Sequence, residues 1–460
     1  MEKIDSASLP TTKRQESIDA IVNSLEKRDS PGYFFSLLHG YQPPRKIRMP
    51  TGNLTELLPE KNEEIFQECY QKLFVEGAAI KPGVVFSLYP SLRSWIKVNH
   101  PGDWEKIKTN IAGLLNKDYQ ILGDSLIHAI LPLLSRTDQD ILVKAGRRAY
   151  EKDFGFSPKG IWLPEAAVSD KTLSLLTDNG YEFVVLGKDQ LVNLPEAAGP
   201  GKPVDIFLSD GKKITVFYFD KETSGTIAFH PEETNTVEQF LNEQRKKGND
   251  IDFGCDAETF GHHQKNGKDI FFDLLTDPEV LEAAGLQALN PAKFFGKDKT
   301  RSKAKVKKNS SWSCPHDLAR WMGSCGCAGG DCAAVSEEKK AAFINLYSHN
   351  QRINKQIKSV FDSFYPDINW QEELINLLVE YKDEIFTGGD FIERIKTQVE
   401  NPLLQNLYAQ KIYALLGVTS CGWFHQDATG QERVERQIPQ KCLETIRCLQ
   451  KELRLGEGKA

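Results

Sequence analysis

The densest cluster of reactive side chains in this chain is Asp256-Ala257-Glu258-Thr259-Phe260-Gly261-His262-His263, with two carboxylates and two histidines in eight residues. A short, mostly apolar run from Ile251 to Cys255 leads into it. Such a run ending in polar residues reads as a buried strand delivering groups to a site. Gly261 then allows a sharp turn. A carboxylic acid at a strand end stays protonated near neutral pH when burial and a second carboxylate both oppose its ionisation, so Asp256 qualifies as a general acid. About ninety residues upstream, the short apolar stretch Gly160-Ile161-Trp162-Leu163-Pro164 ends on another carboxylate, Glu165. Two such carboxylates facing one another suit glycoside cleavage. One attacks the anomeric carbon or activates water, and the other protonates the leaving oxygen. Spacing alone leaves a plainer reading open, in which both residues cap helices.

The elements that would position this pair follow an α/β rhythm. Apolar strand-like runs fall at 33–38, 84–88, 119–122, 159–163, 183–186, 214–219 and 251–255. Helical periodicity falls between them, at 61–74, 103–115, 137–150, 170–178 and 237–247. The 137–150 stretch has Asp138 and Asp140 in its first turn and Lys144, Arg147 and Arg148 later, as the helix dipole favours. This alternation predicts a parallel sheet with helical crossovers. Polar residues, including His39, Gln42 and His128, sit just after strands, where an α/β barrel puts its active site. The Lys- and Arg-rich stretch 292–308 reads as a solvated loop or an edge strand with alternating lysines. From 336 onward only helical segments are expected, at 339–361, 370–385, 403–417 and 436–453. Residues 1–30 form a polar lead-in with one helix at 17–27. The expected division is then 31–315 for the α/β unit and 316–460 for a C-terminal helical domain.

Composition bounds the function. A chain of 460 residues holds two or three domains. The net charge of −6 argues against nucleic-acid binding as the main task. No apolar run approaches the ~18 residues that span a bilayer, and the N-terminus lacks the apolar core of a signal peptide. We therefore expect a cytoplasmic protein. Its nine cysteines are then reduced thiols or metal ligands rather than disulfides.

Four ordered motifs resemble those of the family 57 glycoside hydrolases. His39-Gly40-Tyr41-Gln42-Pro43 is similar to the family's opening His-x-His-Gln-Pro, with Tyr41 where the family has His. His128-Ala129-Ile130-Leu131-Pro132 resembles its second motif, and Gly160 to Glu165 its third, whose Glu is the nucleophile. Asp256 to His263 resembles the fourth, whose first Asp is the acid/base. The resemblance implies an irregular, seven-stranded (β/α)7 barrel and a retaining mechanism on α-linked glucan, needing neither metal nor organic cofactor. Glu165 is then the nucleophile, Asp256 the acid/base, and Glu258 an orienting group. His39, Gln42, His128, His262 and His263 are expected to hydrogen-bond sugar hydroxyls. Trp312 and Trp423 offer flat faces to sugar rings, whereas Trp162 reads as core.

A second resemblance reaches further. Ser311-Trp312-Ser313-Cys314-Pro315-His316, with Arg320-Trp321 and Cys325-Gly326-Cys327, is similar to a family subgroup with a helical extension. Asp317 stands where that subgroup has Gly. Thr419 to Phe424 resembles a run within the extension. Cys314, His316, Cys325 and Cys327 supply four ligands close in sequence, enough for tetrahedral zinc. Their spacing is not a common zinc pattern, and with Cys332 they read equally as small buried thiols, so no metal is assigned. Two rival functions remain. A metal-dependent polysaccharide deacetylase also uses a strand-borne Asp with histidines, and a non-catalytic glucan-binding protein would keep the fold without turnover.

Overall fold

The computed structural model describes residues 11–25, 31–58, 60–195, 202–230, 236–248, 250–265, 268–296, 301–323, 325, 327, 333–424 and 437–457. Among them the strands are β1 (Gly32–Gly40), β2 (Lys46–Arg48), β3 (Leu54–Glu56), β4 (Val84–Leu88), β5 (Gly160–Ile161), β6 (Phe183–Gly187), β7 (Leu191–Val192), β8 (Val204–Phe207), β9 (Lys213–Phe219), β10 (Ile251–Asp256), β11 (Leu286–Ala288) and β12 (Ser302–Val306). β1 is apolar on both faces, and Phe34, Phe35, Leu37 and Leu38 are all buried, as befits a parallel strand covered on both sides. It pairs in parallel with β10 on one edge and with β4 on the other. The isolated parallel bridges Phe86–Ile121 and Gly123–Ile161 carry the path from β4 to β5. β5, β6 and β9 continue it in parallel. Seven parallel segments therefore follow one another, with β10 and β9 at the two ends. Among the described residues no strand pairing joins those ends. The backbone amide of Asp220, one residue past β9, does donate to the Asp252 carboxylate on β10.

Several expected elements change form. The strand expected at 119–122 is a helical turn, Lys117–Gln120, and only Ile121 and Gly123 make sheet bridges. Asn116, at φ 61°, starts that turn. The strand ending on Glu165 shortens to Gly160–Ile161, because Pro164 opens a tight turn. The lysine-rich segment forms β12, which is not an edge, since it pairs β8 in parallel and β7 antiparallel. Ala304 is buried between exposed Lys303 and Lys305, so the strand alternation holds. Helix Pro90–Asn99 has no counterpart in the sequence reading, nor has Phe391–Gln398. The helix expected at 370–385 divides at Tyr381 into Trp370–Glu380 and Lys382–Thr387. The first helix is Thr11–Ser24, tied down by Arg14 bonding Asp273 (2.7 Å) and Asp277 (2.8 Å).

The C-terminal helices include Ala333–Phe364, Pro402–Leu416 and Gln437–Glu457. They share one apolar cluster with the sheet, running from Val184 and Leu131 to Phe343, Leu407 and Ile446. Buried ion pairs cross the same interface. Arg93, fully buried, bonds Asp124 (2.9 Å) and Asp153 (2.8 Å), and Lys382 from the helical side reaches Asp153 at 3.0 Å. Lys411 bonds Asp138 at 2.6 Å, and both side chains are buried. Removing one partner of such a pair strands a buried charge, typically at about 3–5 kcal/mol. The interface therefore has one strongly preferred arrangement. No helix among the described residues is long and apolar enough to cross a membrane.

Candidate active site

Parallel register sets the rim of the site. At the C-terminal end of β1, His39 stands opposite Asp256 of β10 on one side and Ser87 of β4 on the other. β10 ends at Asp256, and the next three residues form a tight turn, Ala257–Thr259. The turn breaks the alternation of a strand, so Glu258 does not simply share a face with Asp256. Instead it is buried and accepts from Gln42 Nε2 (2.8 Å) and, at shorter range, from the Tyr70 hydroxyl. Tyr70 lies in a helical segment, Phe66–Val75, whose turns widen to i→i+5, a form that often marks functional sites. Its role is not visible from sequence, because nothing in its neighbours distinguishes it from a core tyrosine. Gly261, at φ 120°, passes so close to this helix that a Cβ there would lie 2.0 Å from the Glu68 carbonyl oxygen. The glycine is thus required both by its backbone angle and by contact.

Glu165 sits in the turn after β5 with left-handed backbone angles, φ 58° and ψ 21°. A non-glycine residue held there is strained, and such residues gather at functional sites. The strain is maintained by the 311–313 segment. Trp312 Nε1 (3.1 Å) and Ser313 Oγ (3.0 Å) both donate to Glu165 Oε2, and the Trp312 amide donates to the Glu165 carbonyl (3.2 Å). Oε1 receives no hydrogen bond among the described residues.

The two carboxyls differ electrostatically. Burial raises the Glu165 carboxyl above its usual range, while the Trp312 and Ser313 donors and the Arg320 guanidinium pull it back down. Asp256 is raised further. The protein mass around it disfavours its charge, and the Glu258 and Glu165 charges add to this. No donor among the described residues bonds its carboxyl, which remains accessible to solvent at the end of the strand. Glu258 is also raised by burial, against the opposing pull of Tyr70 and Gln42.

The remaining expected contacts sort differently. His39 and His128 are buried, and their Nε2 atoms lie 3.1 Å apart. His39 Nδ1 bonds Ser87 (2.8 Å) and His128 Nδ1 bonds Ser420 (2.6 Å). Every ring nitrogen thus has a protein partner, and these histidines shape the floor rather than reach sugar hydroxyls. Burial lowers the pKa of His39 to about 3 and that of His128 well below its usual value, so both are neutral. Gln42 is likewise committed, donating to Glu258 and accepting from Arg45 at 2.7 Å. Tyr41, which replaces the family histidine, stacks on His128 with ring centroids 4.0 Å apart. His262 turns away to bond Glu68 at 2.6 Å, while His263 beside it is exposed.

Trp162 is fully buried, as expected of core, and meets Trp312 edge-on at 5.0 Å. Trp312 keeps a half-buried face but spends its N–H on Glu165. Trp423 does not reach the site. Its ring packs edge-on against Phe343 at 5.2 Å, and its N–H is taken by the Gly417 carbonyl at 2.9 Å. Burial within the helices, not sugar contact, explains that tryptophan. Ser420, three residues before it, is the group that enters the site.

The sequence model described as Glycosyl hydrolase family 57 matches residues 33–307. The chain belongs to that family. Over 223 residues it is 26% identical to Alpha-amylase 1 of Dictyoglomus thermophilum, covering 46% of this chain and 30% of that protein. Over 71 residues it is 41% identical to the 1,4-alpha-glucan branching enzyme TK1436 of Thermococcus kodakarensis, covering 14% of this chain and 10% of that protein. The matches thus span a third or less of those relatives' length. The fold is similar to that of an exo-type maltose-forming amylase from Pyrococcus sp. ST04, with TM-score 0.70 and 19% identity over 91% of this chain and 80% of the other.

Proposed function

We propose that this protein is a retaining glycoside hydrolase or glucanotransferase acting on α-linked glucan, with Glu165 as nucleophile and Asp256 as acid/base. The observation that carries the assignment is the asymmetry between the two carboxyls. Donors stabilise Glu165 as an anion and leave Oε1 free to attack. No donor among the described residues bonds Asp256, and the protein around it with the Glu258 and Glu165 charges pushes its pKa up, which favours its protonated form. Burial raises both carboxyls, and the one whose rise is opposed by donors suits the nucleophile while the one facing further carboxylates suits the acid. Glu165 would attack the anomeric carbon as the bond to the leaving oxygen breaks, and Asp256 would give that oxygen its proton. In the second step Asp256 would take a proton from water or a sugar hydroxyl, which displaces Glu165 from the glycosyl-enzyme.

In this reading the seven parallel segments form an irregular (β/α)7 barrel over 31–315, and 316–460 is the helical domain. That domain contributes Ser420 and Arg320 to the floor and to Glu165. We place the protein in the cytoplasm, on its nine cysteines, which suit a compartment that keeps thiols reduced. The committed nitrogens of His39 and His128 weigh against the deacetylase reading, which needs histidines free to bind metal. Incubation with maltooligosaccharides, amylose and glycogen, followed by chromatography, tests the proposal. Shorter products mean hydrolysis and redistributed lengths mean transfer. Unchanged glucans with measurable binding, or acetate released from acetylated sugars, would overturn it.

A further inference from the structure

Beyond the Glu165 turn, the same segment brings four ligand-type side chains together. Cys314, His316, Cys325 and Cys327 each place one ligand atom within 4.8 Å of all the others. Cys314 is buried and Cys327 half-buried, with their Sγ atoms 3.9 Å apart. His316 Nδ1 lies 3.1 Å from Cys327 Sγ. Zn–S bonds of about 2.3 Å and Zn–N bonds of about 2.0 Å at tetrahedral angles put ligand atoms roughly 3.5–3.8 Å apart, so these separations bracket the edges of such a site. A disulfide needs sulfurs about 2.05 Å apart, well inside the spacing seen. Three thiolates and an imidazole favour zinc over the oxygen-seeking cations. Four protein ligands fill a tetrahedron and leave no open position, which defines a structural rather than a catalytic centre.

Position gives this cluster its consequence. Cys314 directly follows Trp312 and Ser313, the two donors to Glu165. Arg320, whose charge also acts on Glu165, lies between His316 and Cys325 and stacks on Phe424 at 4.1 Å. Asp317 and Leu318 take left-handed angles, φ 47° and 64°, so the chain bends sharply between the ligands. We propose that Cys314, His316, Cys325 and Cys327 bind one zinc ion, which staples the segment carrying Trp312, Ser313 and Arg320 against the Glu165 turn. The metal takes no part in bond breaking and acts by fixing the loop that holds the donors.

The test uses the full chain, expressed without a histidine tag, and elemental analysis by mass spectrometry. About one zinc per chain is expected after dialysis, falling below about one tenth in Cys314→Ser and Cys327→Ser. The cobalt-loaded protein should show the visible bands of a tetrahedral site and ultraviolet thiolate-to-cobalt charge transfer. Because a serine variant can fail to fold, wild-type protein is also stripped with a mercurial thiol reagent and reloaded. Its melting temperature should fall and then recover. Wild-type chain holding under about one tenth zinc after incubation with an equimolar amount would overturn the proposal, as would unchanged zinc content in Cys314→Ser and Cys327→Ser. Zinc content and melting temperature are read without substrate, so this result stands apart from the outcome of the glucan assays.

Discussion

The two sides of the candidate site are built from different parts of the chain. Asp256 is held from the sheet. β10 carries it, β1 sets its height, and Glu258 behind it is fixed by Gln42 and Tyr70. Glu165 is held from outside the sheet, by Trp312, Ser313 and Arg320 on a segment that leads into the C-terminal helices. The first side collects negative charge and, among the described residues, supplies no donor to Asp256. The second supplies donors and a cation. Burial raises both carboxyls, but donors and a cation oppose that rise at Glu165, whereas neighbouring carboxylates add to it at Asp256. The contrast also gives the helical extension a task, since part of it polarises the proposed nucleophile.

The comparison breaks most visibly when either carboxyl is removed. Glu165→Ala should lose about 10⁴-fold or more in kcat on maltooligosaccharide. Asp256→Asn should lose about 10²–10⁴-fold, and less on substrates whose leaving group needs no proton. Equal losses on both kinds of leaving group would erase the distinction between the two residues.

The pH profile sharpens the comparison. The acid limb follows ionisation of Glu165. Trp312→Phe or Ser313→Ala removes a donor that favours its anion, so its pKa rises, the acid limb moves to higher pH, and kcat falls about tenfold. The basic limb follows loss of the Asp256 proton. Glu258→Gln removes a negative neighbour, so the Asp256 pKa falls and the basic limb moves to lower pH. Shifts in the opposite directions, or none, would show that the two environments do not set the two roles. The smallest effect is expected at Asp317, whose left-handed φ of 47° suits a glycine. Asp317→Gly should leave activity unchanged and alter stability by less than about 1 kcal/mol in thermal unfolding.

Legibility in the sequence divides along the same line. Strand-borne features could be read because apolar runs and turn residues are local signals. β10 with Asp256, the β6 strand and the helix Asp170–Asp178 fall where periodicity puts them. Features assembled across long separations could not be read. The Tyr70–Glu258 bond joins residues 188 apart, and Ser420 meets His128 from 292 residues away. The histidines were expected to face sugar because polar groups after strands often do. Instead, burial gives each ring nitrogen of His39 and His128 a protein partner. Trp423 misled for a related reason, since an aromatic beside small residues suits a ligand face and a helix interface equally. Ser313 was within view, inside the run Ser311 to His316, but a lone hydroxyl carries no sign of which carboxylate it will bond.

The most direct measurement is the anomeric configuration of products formed with azide by Glu165→Ala and Asp256→Ala on an activated α-glucoside. If Glu165 is the nucleophile, azide fills the space it leaves and attacks the substrate directly, giving a glycosyl azide of inverted configuration. If Asp256 is the acid/base, azide attacks the glycosyl-enzyme in the second variant, giving a glycosyl azide of retained configuration. Rescue of neither variant, or the two configurations exchanged between them, would contradict the assignment of the two carboxylates.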